Sequence, residues 1–325
     1  MSSGRSVIGV DVGGTKTSVA SMRGGVVGEP LVAPTDLSGA DALIAQIVSQ
    51  IEAVAAGESP AAVGIGIPSV VEFATGRAAT SVNVPLQDVP LRHLISERLA
   101  VPVFVDNDAT VAALAEAHDE QGRLDVHSLV MFTVGTGVGG GIVIDGRCYR
   151  GATGAAGELG HTLIAIAEQI PAATAFPQPG SLEALAAGHV LDRLARDAAA
   201  AHPGSALGRT LAQAGTVAGP DAVAAAKAGD EVAIACVATL ARRLGIGVAN
   251  AINTFDPQVV AIGGGVSSAG ELLLGPLRAA ALEYVLPGVG TATDIRIARS
   301  GAQAGVRGAA LLARSELKSK NGEAR

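Results

Sequence analysis

The chain has 325 residues, enough for two domains with a core apiece, and a formal charge of −7, so no basic surface advertises nucleic acid. Its two cysteines, Cys148 and Cys236, are too few and too far apart for a disulfide framework or a cysteine zinc site, and read as small buried hydrophobes in a reducing compartment. Aromatic residues make up 2% and tryptophan is absent, so a sugar would have to be held by hydrogen bonds rather than on an indole platform.

The first element is a glycine-rich hairpin, Val7-Ile8-Gly9-Val10-Asp11-Val12-Gly13-Gly14-Thr15-Lys16-Thr17-Ser18-Val19-Ala20, with strands over 6–12 and 17–22. Asp11 interrupts the apolar run before it reaches the length of a signal peptide. A helix over 40–56 places Leu43, Ile47, Ile51 and Val54 on one face. A strand over 62–67 ends at Pro68, and a loop runs from there past Glu72 to Asn83. A strand over 102–105 leads to Asn107 and Asp108, either of which can cap a helix running to 117. The polar stretch 119–125 marks a domain crossing.

A second glycine-rich hairpin spans 128–145 around Gly135-Thr136-Gly137-Val138-Gly139-Gly140-Gly141. Ser181 caps a helix carrying Leu182, Leu185, Leu191 and Leu194. A long helix over about 220–252 follows, broken for membrane purposes by Lys227, Asp230, Glu231, Arg242 and Arg243. A strand over 259–262 stops at Gly263-Gly264-Gly265, a strand lies over 294–298, and a last helix over 305–317 precedes a frayed end. Strands alternate with helices, which predicts an α/β protein. The expected division is a small N-terminal lobe (1–118, with the final helix packing back on it) and a larger C-terminal lobe (119–304).

Glycines in such turns let backbone N–H groups approach an anion without a Cβ in the way. One turn alone is weak evidence. Two of them, each heading its own half, predict a duplicated architecture that clamps a polyphosphate from both sides of an interdomain cleft.

The first turn resembles the phosphate hairpin of the superfamily that contains sugar kinases, actin and heat-shock chaperone ATPases. Pro102-Val-Phe-Val-Asp-Asn107-Asp108-Ala, the second turn, Gly157-Glu158-Leu-Gly-His161, Leu182-Glu183-Ala-Leu-Ala-Ala-Gly188 and Val260-Ala-Ile-Gly-Gly-Gly265 narrow the resemblance to the ROK family. The match runs in order along nearly the whole chain. It implies a two-domain actin-like ATPase fold (ribonuclease H-like) and ATP-dependent phosphorylation of a hexose, glucose to glucose 6-phosphate first, with N-acetylmannosamine or N-acetylglucosamine kinase as the alternative. By resemblance Asp108 is the catalytic base, and Asn83, Asn107, Asp108, Glu158, His161 and Glu183 face the sugar. Gly13, Gly14, Thr15, Lys16, Gly135, Thr136 and Gly137 face the ATP phosphates, Gly263, Gly264 and Gly265 the adenine, and Asp11 holds Mg2+ directly or through water. The expected protein is cytoplasmic, binds neither nucleic acid nor membrane, and has an Ala-rich surface compatible with a homodimer.

Bland readings compete at several of these positions. Asp108 could be only a helix cap, His161 a satisfied structural histidine, and Lys16 a solvated hairpin residue. Gly135-Thr-Gly-Val-Gly-Gly140 also satisfies the dinucleotide-binding pattern, but Ile142-Val143-Ile144 after it reads as a returning strand where that motif needs a helix. A sugar-responsive regulator would carry a helix-turn-helix before the first hairpin, which begins within a few residues of Met1. A binding protein without catalysis finds no support while Asp11, Asn107 and Asp108 are all in place.

One departure from the family pattern is clear. Many relatives hold a structural zinc with this histidine and three cysteines, whereas residues 162–182 contain no cysteine but Ile164, Ile166, Ile170, Phe176 and three prolines, Pro171, Pro177 and Pro179. Without thiolates a tetrahedral site of that kind is not available, so apolar packing and proline stiffening are expected in its place. Loss of zinc is also compatible with a polyphosphate-using relative, although Thr15-Lys16 looks more like the ATP users. Metal analysis of the purified protein is expected to find no stoichiometric zinc; one equivalent per chain would overturn this expectation.

Overall fold

The computed structural model describes residues 5–81, 83–165, 176–320 and 322. They form two compact units. The first comprises residues 1–129, 141–157 and 300–325, the second 130–140 and 158–299. The sequence reading puts the crossing at 119 with the final helix returning to the first lobe; here the final helix does belong to the first unit, and residues 141–157 join it as well.

In the first unit, β1 (Val7–Val12) and β2 (Lys16–Arg23) are the expected hairpin, followed by the short β3 (Val26–Val27) and β4 (Leu31–Pro34). Helix α1 (Ala40–Ala55) buries Leu43, Ile44, Ile47 and Ile51, the face read from its spacing. Then come β5 (Ala62–Ile67), β6 (Ser69–Glu72) and β7 (Arg77–Ser81). β6 and β7 pair antiparallel, so the segment read as a plain loop after Pro68 is partly a hairpin. Helix α2 (Leu91–Leu99), β8 (Val103–Asn107) and α3 (Asp108–Glu116) follow. The main sheet has the order β3-β2-β1-β5-β8, with β4 on β2; β1, β5 and β8 run parallel.

Strands β9 (Leu129–Val134) and β10 (Val138–Ile144) form the second glycine-rich hairpin, and the end of β10 pairs with β11 (Arg147–Cys148). The second unit continues with α4 (Leu182–Ala186), α5 (Gly188–Ala201), α6 (Ala206–Ala214), α7 (Gly219–Lys227) and α8 (Glu231–Phe255). β12 (Val259–Gly263), α9 (Glu271–Tyr284) and β13 (Asp294–Ile297) complete it. Its strands run in the order β10-β9-β12-β13. The last helix, α10 (Ala304–Lys320), belongs to the first unit and packs on α3, β1 and β5.

Two sequence-based helices are each divided in the structure. The helix from Ser181 stops at Ala187, whose extended ψ of 170° separates α4 from α5. The long helix expected over 220–252 is α7 and α8, because Gly229 turns at φ +87° and the Asp230 side chain caps a fresh start by accepting the Ala233 N–H at 2.9 Å. Helix α8 is long and apolar enough to cross a membrane by length and composition, yet Val237, Leu240, Leu244 and Val248 are fully buried in the core of its own unit.

Helix α10 lies against the sheet at backbone contact. A Cβ on Gly9 would overlap the Val306 carbonyl, and one on Gly64 the Ala309 carbonyl. Gly64→Ala is therefore expected to lower stability by about 1–3 kcal/mol through overpacking. Gly275→Ala, in α9 with open space around it, should be neutral or raise stability by about 0.5–1 kcal/mol. Urea unfolding of the two variants compares them directly, and equal effects would refute the packing argument.

Candidate functional site

The first unit gathers its candidate residues where β1 and β8 end. Between Gly13 and Lys16 the hairpin closes with the Gly13 N–H donating to the Lys16 carbonyl at 2.9 Å. Thr35, just past β4, braces it by donating its hydroxyl to the Gly13 carbonyl at 2.7 Å and its N–H to the Thr15 carbonyl at 3.1 Å. Thr15 and Lys16 are exposed at the tip, and Asn83 lies beside Gly14, 3.4 Å from where a Cβ would stand.

Asn107, rather than Asp108, is the cap of α3. Its Oδ1 accepts the N–H groups of Ala109 and Thr110 at 2.9 and 3.1 Å, while its Nδ2 donates to the Ser69 carbonyl at 3.3 Å. Asp108 is the first helical residue, with Oδ1 near the Ala109 N–H at 2.8 Å. The cap that would have accounted for Asp108 structurally is thus already supplied.

Burial, opposed by hydrogen bonds from backbone N–H groups and Asn107, pushes the Asp108 carboxyl above the usual range. Asp11 is raised to about 6, first by burial and then by the charge of Asp108, with Lys16 offsetting part of it. Its carboxylate is pressed against Gly305 at the start of α10, where any Cβ would overlap it. A buried carboxylate facing a second one, beside a glycine turn, suits a hard cation that prefers few carboxylates plus phosphate and water oxygens. Asp11 is the residue that would hold Mg2+.

In the second unit the turn Gly135–Val138 sits on the α4–α5 junction. The Gly188 N–H donates to the Gly135 carbonyl at 2.7 Å, His189 Nδ1 lies 3.2 Å from the Thr136 carbonyl, and Glu183 Oε2 accepts the Val138 N–H at 2.8 Å. A side chain on Gly137 would run into that carboxylate, and one on Gly264 into the Val134 backbone. The third glycine segment therefore abuts the strand that feeds the second turn. A cavity of about 510 Å3 opens there, edged by Gly135, Thr136 and Gly265 and walled by Leu191, Pro220 and Val223. Gly135 and Thr136 of the second turn and Gly265 of the third glycine segment thus border one cavity.

The walls from α5 and α7 escaped the sequence reading. The Gly219-Pro220 helix start was the available signal, obscured by treating 220–252 as one helix. His189 and Lys227, also at the cavity, carry no local mark of their purpose.

Glu158 and His161 flank a single 3-10 turn, with His161 Nε2 3.8 Å from Glu158 Oε2. His161 Nδ1 is buried without a hydrogen-bond partner among the described residues, which argues against a fully satisfied structural histidine. The His161 ring meets Phe176 edge-on at 5.5 Å. The ends of the cysteine-free interval are joined by backbone: Ile164 N–H to the Gly180 carbonyl and Leu182 N–H to the Thr162 carbonyl, both 2.9 Å. Ile164 packs on the core. The parts of that expectation resting on Ile166, Ile170 and Pro171 lie outside the described residues. Glu183, expected at the sugar, has one oxygen committed to the second turn.

The Asp11 geometry carries a pH prediction for the ligand-free protein. A carboxyl whose folded value is raised stabilises the fold fully below its unfolded value of 3.8, and that contribution disappears as pH rises through about 6. Asp11→Asn should therefore be more stable than the parent at pH 8 in chelator, by about 1–3 kcal/mol, and gain little at pH 4. Thermal unfolding at both pH values tests this; an equal shift at the two would exclude Asp11 ionisation as the cause.

Comparison with known proteins supports the same reading. The family model described as "ROK family" matches residues 7–316. A glucokinase of Halalkalibacterium halodurans is 34% identical over 321 residues, covering 97% of this chain and 96% of that protein. Among solved structures, a ROK family glucokinase from Streptomyces griseus in complex with glucose and AMPPNP superposes with a TM-score of 0.77 at 30% identity, covering 95% of this chain and 99% of that one. A ROK hexokinase from Thermus thermophilus gives 0.75 at 35% identity, with 97% and 99% covered. The chain has the two-domain actin-like ATPase fold and belongs to the ROK family of ATP-dependent sugar kinases.

Proposed function

We propose that this kinase transfers the terminal phosphoryl group of ATP to the 6-hydroxyl of glucose, with Asp108 as general base. The observation that carries the reading is the division of labour at the start of α3: Asn107 caps the helix, which leaves the raised Asp108 carboxylate available to a substrate. A sugar hydroxyl is a poor nucleophile at neutral pH. Asp108 would orient it and take its proton as the new P–O bond forms. Asn83 and Asn107, in the first unit, offer hydrogen bonds of the kind a polyhydroxylated ligand needs, and Glu158 and His161, in the second unit, carry groups of the same kind. The unpartnered His161 Nδ1 is the most pointed of these.

The first glycine turn, with Thr15, and the second, with Thr136, are each suited to phosphate oxygens, and phosphoryl transfer depends mainly on positioning and charge stabilisation. Mg2+ held by Asp11 would neutralise charge building on the transferred group. The apolar walls Leu191, Pro220 and Val223 favour a nucleotide over inorganic polyphosphate, which has no base to bury there. A location with ATP and free sugar, the cytoplasm, follows from this reading, as do small-molecule partners without nucleic acid or membrane. A homodimer is compatible with it.

An ADP-release assay across glucose, mannose, fructose, N-acetylglucosamine and N-acetylmannosamine, run in parallel with polyphosphate as donor, tests the proposal. Glucose with ATP and Mg2+ should give the highest kcat/KM. Asp108→Ala should lose about 10²-fold or more in kcat while keeping its melting temperature. Turnover above about a tenth of the parent would remove Asp108 from the role of base, and preference for an N-acetylated sugar would reassign the substrate.

A further inference from the structure

Asp106 is a charged residue where the strand calls for an apolar one. It occupies the buried register of β8 after Val103, Phe104 and Val105, and is 1% exposed. A carboxylate there is costly unless it is paired, and Arg150 pairs it: Arg150 Nε donates to Asp106 Oδ2 at 2.7 Å. The other oxygen, Oδ1, accepts the N–H of Asn107 at 3.0 Å. One carboxylate thus ties a guanidinium to the backbone of the residue that caps α3, one position before Asp108.

Arg150 is itself held from three directions. Its guanidinium carbon lies 3.5 Å from the centroid of Phe73, one of only five phenylalanines in the chain. Its second nitrogen reaches Glu316 of α10 at 3.4 Å. Its carbonyl accepts the Ala156 N–H at 3.1 Å, closing the glycine-rich loop that starts at Gly151. That loop is seated on β6, for a Cβ on Gly154 would overlap the Val71 carbonyl. Three separate stretches of the first unit converge on this side chain, β8, α10 and the segment after β6, and its backbone opens the loop that continues into Glu158.

We infer that Arg150 is a positioning residue for phosphoryl transfer, which through Asp106 fixes the backbone N–H of Asn107, the residue before Asp108, and so aims the Asp108 carboxylate. The inference rests on the sugar-kinase reading and adds a residue that touches neither substrate. A lysine can match the charge of Arg150 but not its planar face on Phe73 together with a side-on Nε–H to Asp106. A displacement of the base by a fraction of its hydrogen-bond length should appear in kcat rather than in nucleotide binding.

The experiment compares the parent with Arg150→Lys, Arg150→Met, Asp106→Asn and the double variant Asp106→Asn/Arg150→Met, measuring kcat, KM for sugar and ATP, and melting temperature. Arg150→Lys should lose about tenfold or more in kcat with KM for ATP changed less than about twofold. The Met and Asn single variants should lose both stability and turnover. The double variant, freed of a lone buried charge, should recover melting temperature but not kcat. Recovery of turnover together with stability would show that the pair is only structural, and an Arg150→Lys enzyme with more than about half the parental kcat would overturn the positioning role. If Arg150→Met and Asp106→Asn fail to fold, Arg150→Lys and the double variant still decide the matter. A parent inactive on every sugar would count against the kinase reading instead, so the two failures are distinguishable.

Discussion

The parallel register of β1, β5 and β8 is the constraint from which the first unit's chemistry follows. It sets Asp11 opposite Gly66 and Gly66 opposite Asp106, a single row across three strands at their carboxyl ends. Ligand groups in open α/β sheets gather at that edge because the loops leaving it have free backbone and room. Gly66 in the middle of the row has no side chain to fill the space. A Cβ there would stand 3.5 Å from the Asp108 Cα and closer still to Val111. That vacancy lets α3 begin directly over the row, which brings Asp108 close enough to raise Asp11 electrostatically. From the other side α10 delivers Gly305 against the Asp11 carboxylate. Burial raises three carboxyl groups in this one region, Asp11, Asp106 and Asp108, the second of them paired with Arg150.

The second unit solves a different problem with different means. On the proposed reading its turn offers N–H groups to an anion, which requires the carbonyls and flanking groups of the turn to be held in place. The segment from Glu183 to His189 does this from beneath, taking up the Gly135 and Thr136 carbonyls and the Val138 N–H. Such an arrangement is already ordered before a ligand arrives, which is where electrostatic stabilisation of a developing charge is most effective. Glu183 is instructive in this respect. A residue type suited to a sugar hydroxyl serves here, with one oxygen, as a brace for the second glycine turn.

The two glycine hairpins, the amphipathic α1, the cap at the start of α3 and the terminal helix were all legible in the chain, because each depends on residues within a turn or two of one another. Even the choice between Asn107 and Asp108 as cap was narrowed to two neighbours. The family motifs likewise marked the second turn and the Gly263–Gly265 segment. The break between α7 and α8 was missed because a lone Gly229-Asp230 pair inside an apolar pattern reads as an interruption rather than an end. The hairpin of β6 and β7 was missed because its hydrogen bonds depend on an irregular register between Val70 and Val71.

What the sequence determined by itself was therefore the class of fold, the turns and the identity of the acid that α3 offers. Tertiary structure alone decided which partners those groups have. Arg150 meets Asp106 across 44 positions and Glu316 across 166, and Glu183 meets Val138 across 45. Nothing in local spacing encodes such pairings, since a charged side chain looks the same in sequence whether it ends in water or in a buried bond; only the packing that removes water distinguishes them.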